Sequence, residues 1–190
     1  MTKRDPDAIA TLIRRESLAA PSVRMYIVVD GCQANEFVLL AKEKYSQPAR
    51  SLFKGALASC EEMELVAPYF LCTDVQSDFL NQWTEYWGMN AGVMFTSSAE
   101  PRVIFRHLRS VFVVQDESDQ EYFFRFYDPR VLRVYLPTCT TEELAEFFGP
   151  IKSFMLESED LQSIQTFEVE YGRLNSHLRL INSTRGKRSS

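Results

Sequence analysis

The residues that could do chemistry in this chain are few and scattered. There are two histidines, His107 and His177. They are too few to form a three-histidine metal site by themselves, and neither lies in an HExxH arrangement. The four cysteines, Cys32, Cys60, Cys72 and Cys139, show no CxxC spacing and no nearby histidine pair, which argues against zinc and thiol redox chemistry. The expectation is thiols buried in a reducing cytoplasm. Cys32 follows Asp30-Gly31 at the end of an apolar run, a position where nucleophiles occur. No helix start or histidine nearby would lower its pKa. GxSxG, P-loop and GxGxxG motifs are missing, and 7 glycines leave little for a backbone phosphate cradle. What remains is a carboxylate hydrolase using Asp30, Asp74 or Asp128, which would need two acids converging in a deep pocket. The reading is that the chain is not an enzyme and takes no cofactor, metal or small-molecule substrate.

The stretch FRFYDPRVLRVYLP, Phe124 to Pro137, is the most concentrated local pattern. Read as the end of a strand, Tyr122, Phe124 and Phe126 point one way and Phe123, Arg125 and Tyr127 the other. Arg125 then sits among rings and must find a carboxylate, a carbonyl or a ring face. It either pins strand to helix or serves as a recognition arginine at a groove, and the structural account is preferred. Asp128-Pro129 is a helix start, with the carboxylate capping and the proline in the first turn. Arg130 and Arg133 would share one face of that helix, with Val131, Val134 and Tyr135 turned inward. These arginines are either solvated or available to a partner's carboxylates.

Several elements must position these residues. Asp5-Pro6 starts a helix carrying Ile9, Leu12 and Ile13, ended by Pro21. Val23–Asp30 and Val66–Cys72 read as strands, with Pro68 at a strand start or on an edge. Asn35–Tyr45 reads as a helix. Ser77 caps another helix that presents Phe79, Leu80, Trp83 and Trp87 on one face. Gly92–Ser97 is a strand, and Ser97 with Glu100 has capping-box spacing for a helix bearing Ile104 and Leu108. Arg102, Arg106 and Arg109 fall on another, solvated side of that helix, and His107 sits at helical spacing from Val103. Val111–Gln115 and Glu121–Tyr127 form a hairpin. Thr140 and Glu143 repeat the capping-box spacing, and Gly149-Pro150 ends that helix. Ile151–Leu156 and Ile164–Glu170 are extended. The fold class is α/β, a mixed β-sheet covered by helices in a single compact domain with a small C-terminal annex. The expected boundaries are an N-terminal helix over 1–22, the main domain over 23–151, a C-terminal extension over 152–182 and a disordered tail over 183–190.

With 190 residues, 45% apolar and 13% aromatic, the chain can bury one substantial core. The net charge of -5 offers no general attraction to nucleic acid or anionic lipid. No apolar run approaches the roughly 20 residues that span a bilayer, and the N-terminus lacks the apolar segment of a secretory signal. The expectation is a cytoplasmic protein with neither nucleic-acid nor membrane partners.

FRFYDPRVLRVYLP followed by FFGPI at Phe147 to Ile151, with YIVVDG, APYFLC, GVMFTSS and RHLRSVFVV upstream, resembles the type VI secretion adaptor chaperones of the Tap or TEC family. The resemblance runs from Tyr26 to Ile151. It implies a non-catalytic cytoplasmic adaptor that holds a toxic effector and loads it onto the VgrG spike. By matching position it points to Arg125, Tyr127, Asp128, Pro129 and Arg130, together with Ser97, His107, Leu108 and Arg109, as family positions. The expected partner-binding set is Arg125, Tyr127, Asp128, Arg130, Arg133, His107 and Arg109. Few residues follow Pro150, so no large cargo lobe is expected. An immunity-type toxin inhibitor is the remaining alternative.

Overall fold

Six buried positions out of seven in Arg24–Asp30 (β1) place this strand at the centre of the molecule, because an unbroken apolar run suits a strand covered on both faces. The computed structural model describes residues 5–17, 23–44, 49–58, 60–73 and 78–181. The expected Pro21 helix stop, the Ser77 cap, Asp74 and the tail 183–190 lie outside the described residues.

β1 pairs on one side with Pro68–Thr73 (β3) and on the other with Gly92–Ser97 (β4). The short Arg50–Ser51 (β2) closes one edge beside β3. On the far side β4 pairs with Ser153–Glu157 (β7), followed by Ser163–Glu170 (β8) and Arg173–Leu180 (β9). The result is one seven-stranded sheet in the order β2-β3-β1-β4-β7-β8-β9. Every pairing among these strands is antiparallel. The expected α/β class, a sheet covered by helices, is what the structure has, although the sheet expected to be mixed is antiparallel throughout. Residues read as a C-terminal extension supply the last three strands of the same sheet. Pro68 opens its strand, where its missing N–H costs no central ladder bond.

Strand alternation sorts the core into two layers. On one face Tyr26 stacks between Phe70 and Phe95, and Phe154 packs against Phe95, Phe147 and Phe148. This face is covered by Pro101–Val111 (α6), through Phe105 on Phe70, and by Thr141–Phe148 (α8). On the other face lie Met25, Ile27 and Met94, covered by Pro6–Ser17 (α1), Asn35–Lys44 (α2) and Asp78–Thr84 (α5). Phe37 of α2 packs on Phe79 and Trp83 of α5. The short helices Gly55–Ala58 (α3) and Glu61–Glu64 (α4) link β2 to β3.

Local details depart from expectation where tertiary contacts compete. α8 carries the predicted capping box between Thr140 and Glu143. α6 does not have one. Its N-cap is Glu100, without a side-chain cap bond, while Ser97 Oγ accepts from the Ala99 N–H at 3.0 Å and donates to the Pro150 carbonyl at 2.5 Å. Ser97 is fully buried on β4, so its hydroxyl serves the chain that enters β7 instead of the helix. The hairpin is present but shorter than expected, as Val113–Gln115 (β5) and Glu121–Phe123 (β6). No thiol is fully buried: Cys32 is exposed and the other three are half-buried.

Close packing at the centre gives a test. A Cβ on Gly92 would lie 2.2 Å from the Val28 carbonyl oxygen and 2.9 Å from the Trp83 ring. The backbone carbonyl cannot move aside without breaking the ladder. Gly92→Ala is expected to lose at least about 2 kcal/mol, read as a lower midpoint in urea denaturation.

Candidate functional site

The arginine- and aromatic-rich stretch forms a corner. After β6 the ladder stops. The Phe124 N–H donates to Phe112 O at 2.9 Å, Phe126 N–H to Phe124 O at 2.9 Å and Asp128 N–H to Arg125 O at 3.0 Å. The chain therefore turns tightly into Pro129–Tyr135 (α7), and the strand alternation expected through Tyr127 ends at Phe123. Phe126, Tyr127, Asp128 and Pro129 are all buried, whereas the backbone throws Arg125 outward.

Arg125 turns back onto two carboxylates. Its Nη2 donates to Asp30 Oδ2 at 3.0 Å and lies 3.8 Å from Asp128 Oδ2. Both aspartate side chains are nearly inaccessible, at 3% and 5% exposure. Asp30 sits at the end of β1, where its Oδ1 accepts from the Cys32 N–H at 2.9 Å and its carbonyl accepts from Gln33 and Ala34. Asp128 caps α7. Its Oδ1 accepts from the Arg130 N–H and Nε, each at 3.0 Å, and its Oδ2 from Arg130 Nη2 at 2.7 Å. Such a two-point guanidinium–carboxylate contact is stronger than a single one and fixes both side chains.

Protonation follows from these surroundings. Burial opposes ionisation of Asp128, but the Arg130 side chain and backbone N–H, with the charges of Arg130 and Arg125, hold its carboxyl below the usual range. Burial pushes Tyr127 up to about 12, with the Asp30 charge adding to the rise and Arg125 opposing it. Burial and the Asp30 carboxylate also push the Cys32 thiol up, which makes it a weaker nucleophile at neutral pH. Two acids do converge, as a carboxylate hydrolase would require. They converge on an arginine, with their oxygens occupied by internal donors.

The other expected partner residues also make internal contacts. Arg133 Nη1 donates to the Glu157 carbonyl at 2.6 Å, tying α7 to the end of β7. His107 Nε2 donates to the Phe147 carbonyl at 2.9 Å, linking α6 to α8. Gly149 has φ +47° and lies so close that a Cβ would sit 2.5 Å from His107 Cε1. Both facts call for glycine in FFGPI. Arg109 Nη2 donates to the Phe53 carbonyl at 3.2 Å. Arg125, Tyr127, Asp128 and Arg130 form one cluster with Asp30. Arg133, His107 and Arg109 are separate ties.

Val134, expected to turn inward, is 72% exposed, because Leu132 and Leu136 take the buried side of the helix. It faces a groove of about 670 Å³, lined also by Arg130, Arg133, Leu178 and Gln165 and, on the loop after β7, by Ser158 and the acids Glu159 and Asp160. Leu178 and Leu180 of β9 are 61% and 67% exposed. Sequence reasoning missed these leucines. Their period-two spacing with Leu174 was the available signal. Among the described residues no group of three or more His, Cys, Asp and Glu is placed to hold a metal ion, and no helix is long and apolar enough to cross a membrane.

Residues 25–146 match the family described as "Domain of unknown function (DUF4123)". The chain belongs to this family. The match covers the sheet from β1 to β4, the corner and most of α8, and it stops short of β7–β9. Comparison with the curated proteins and with the solved structures gave no significant match.

The corner predicts two pH effects. The Asp128 carboxyl is held low in the folded state, so its stabilisation is complete above the ordinary carboxyl range near pH ~4 and is lost as pH falls through the lower folded value. Asp128→Asn is expected to lose about 2 kcal/mol at neutral pH, through the cap and the arginine contacts, and to flatten the acid side of the stability curve. Tyr127 is raised, so its contribution is complete below the ordinary tyrosine value near ~10 and is lost as pH climbs toward about 12. Tyr127→Phe should remove that alkaline decline. Urea midpoints measured across pH test both.

Proposed function

We propose that this chain is a non-catalytic adaptor that binds a type VI secretion effector in the cytoplasm and delivers it to the VgrG spike. The resemblance carried by the Phe124–Pro137 and FFGPI motifs supports this reading, and so does membership of the family spanning 25–146. The observation that carries it is chemical. The motif's charged residues satisfy one another and the backbone, and the outer face they support presents Val134 and Leu178 beside Arg130 and Arg133. Apolar side chains bordered by arginines are the residue types that anchor protein interfaces.

On this reading Asp30, Arg125 and Asp128 act as scaffold, and the cargo lies across α7 and the β8–β9 end of the sheet. The arginines there are poor test positions. Arg130 holds Asp128 and Arg133 holds the Glu157 carbonyl, so reversing their charges would disturb the corner as well as the surface. Val134 and Leu178 are exposed and can be changed with less damage.

Tagged protein recovered from its native cell is expected to carry a secreted toxin and a spike protein. Val134→Asp with Leu178→Asp, checked as folded by circular dichroism, should reduce toxin recovery at least about tenfold. Unchanged recovery would remove this face from the reading. A toxin still active within the complex agrees with an adaptor, whereas one blocked in the complex indicates an inhibitor.

A further inference from the structure

A second groove, of about 1090 Å³, lies at the opposite edge of the sheet between α6 and β2. The buried rings of Phe70 and Phe105 lie beneath it, and its walls carry Arg50, Lys54, Arg102 and Arg106. None of these four makes an ion pair among the described residues. The one acid among the described lining residues, Glu100, is already engaged by Arg24 at 2.8 Å.

This concentration of positive charge runs against the chain's net charge of -5. The ring of Phe105 carries the Arg50 guanidinium at 3.8 Å and the Arg109 guanidinium at 5.4 Å from its centroid. Arg109 also donates to the Phe53 carbonyl at 3.2 Å, which fixes the segment after β2 against α6 and holds the groove open between them. Arg102 and Arg106 are exposed, one helical turn apart on the same side of α6. Like charges gathered this closely repel one another, and an incoming anion relieves that repulsion.

We infer that the α6–β2 groove binds an acidic segment of a partner protein, with its carboxylates on Arg102, Arg106 and Lys54. A protein segment fits better than a nucleic acid. A short acidic stretch needs only the local field, whereas a long polyanion meets the negative charge of the whole molecule. The inference rests on the adaptor reading only in taking a protein as occupant. The groove is distinct from the Val134–Leu178 face.

The test uses the full chain and a short fluorescein-labelled peptide of glutamate and leucine, followed by anisotropy. Binding is expected that weakens as salt rises and that falls at least about tenfold in Arg102→Glu/Arg106→Glu. The same peptide with glutamine in place of glutamate should not bind. If the charge-reversed variant fails to fold, Arg102→Gln/Lys54→Gln carries the same comparison. Equal binding of the glutamine peptide, undiminished binding by the folded variants, or tighter binding of an oligothymidylate of matched charge would each overturn the inference. No binding of the glutamate peptide by the unmodified chain, with toxin recovery intact, would sink the groove alone. Recovery of no secreted protein, with peptide binding intact, would sink the adaptor reading alone.

Discussion

Two buried carboxylates held by arginines organise this molecule. Asp30 ends the central strand and Asp128 caps α7, 98 residues apart in the chain, and Arg125 reaches both. Unpaired, two such charges in an apolar corner would cost several kcal/mol. With Arg125 shared and Arg130 clamped onto Asp128, the corner has one low-energy arrangement. That arrangement fixes the direction in which α7 leaves the sheet. Breaking one contact leaves a buried charge behind, so the geometry is enforced more by the cost of alternatives than by the gain from each bond.

The corner matters because the sheet cannot finish its own core. β1, β3 and β4 are buried on both faces, but the layer over Phe95 and Phe154 is completed by Phe124, Phe126, Tyr135 and Phe147, which meet in tilted and edge-to-face contacts beside the turn, with Phe147 stacked on Phe154. Ties from Arg133 to β7 and from His107 to α8 hold the same layer from its sides. Polar residues that look like site residues in the sequence are thus the fastenings of an aromatic layer. The exposed surface lies beyond them.

That surface has two ends of different character. Near β9, Val134, Leu178 and Leu180 are exposed. Near β2, α6 lines the edge with cations. On the adaptor reading proposed above, one end would supply apolar anchoring and the other electrostatic capture. The buried Tyr127 and the raised Cys32 thiol offer little for proton transfer or nucleophilic attack near neutral pH.

The sequence by itself determined the strands β1, β3 and β4, the α8 capping box, the proline starts and the glycine stop, because each depends on neighbours a few residues away. Asp128 as a cap was legible for the same reason. Tertiary structure decided that Arg125 finds Asp30, that Ser97 serves Pro150 instead of capping α6, and that Val134 points outward. It also decided that β7–β9 join the main sheet and that Arg50 and Lys54 face Arg102 and Arg106. These outcomes depend on which distant segments the fold brings within hydrogen-bond or Coulomb reach. Local periodicity carries no information about that, because a charge's partner and a residue's exposure are set by what packs above it.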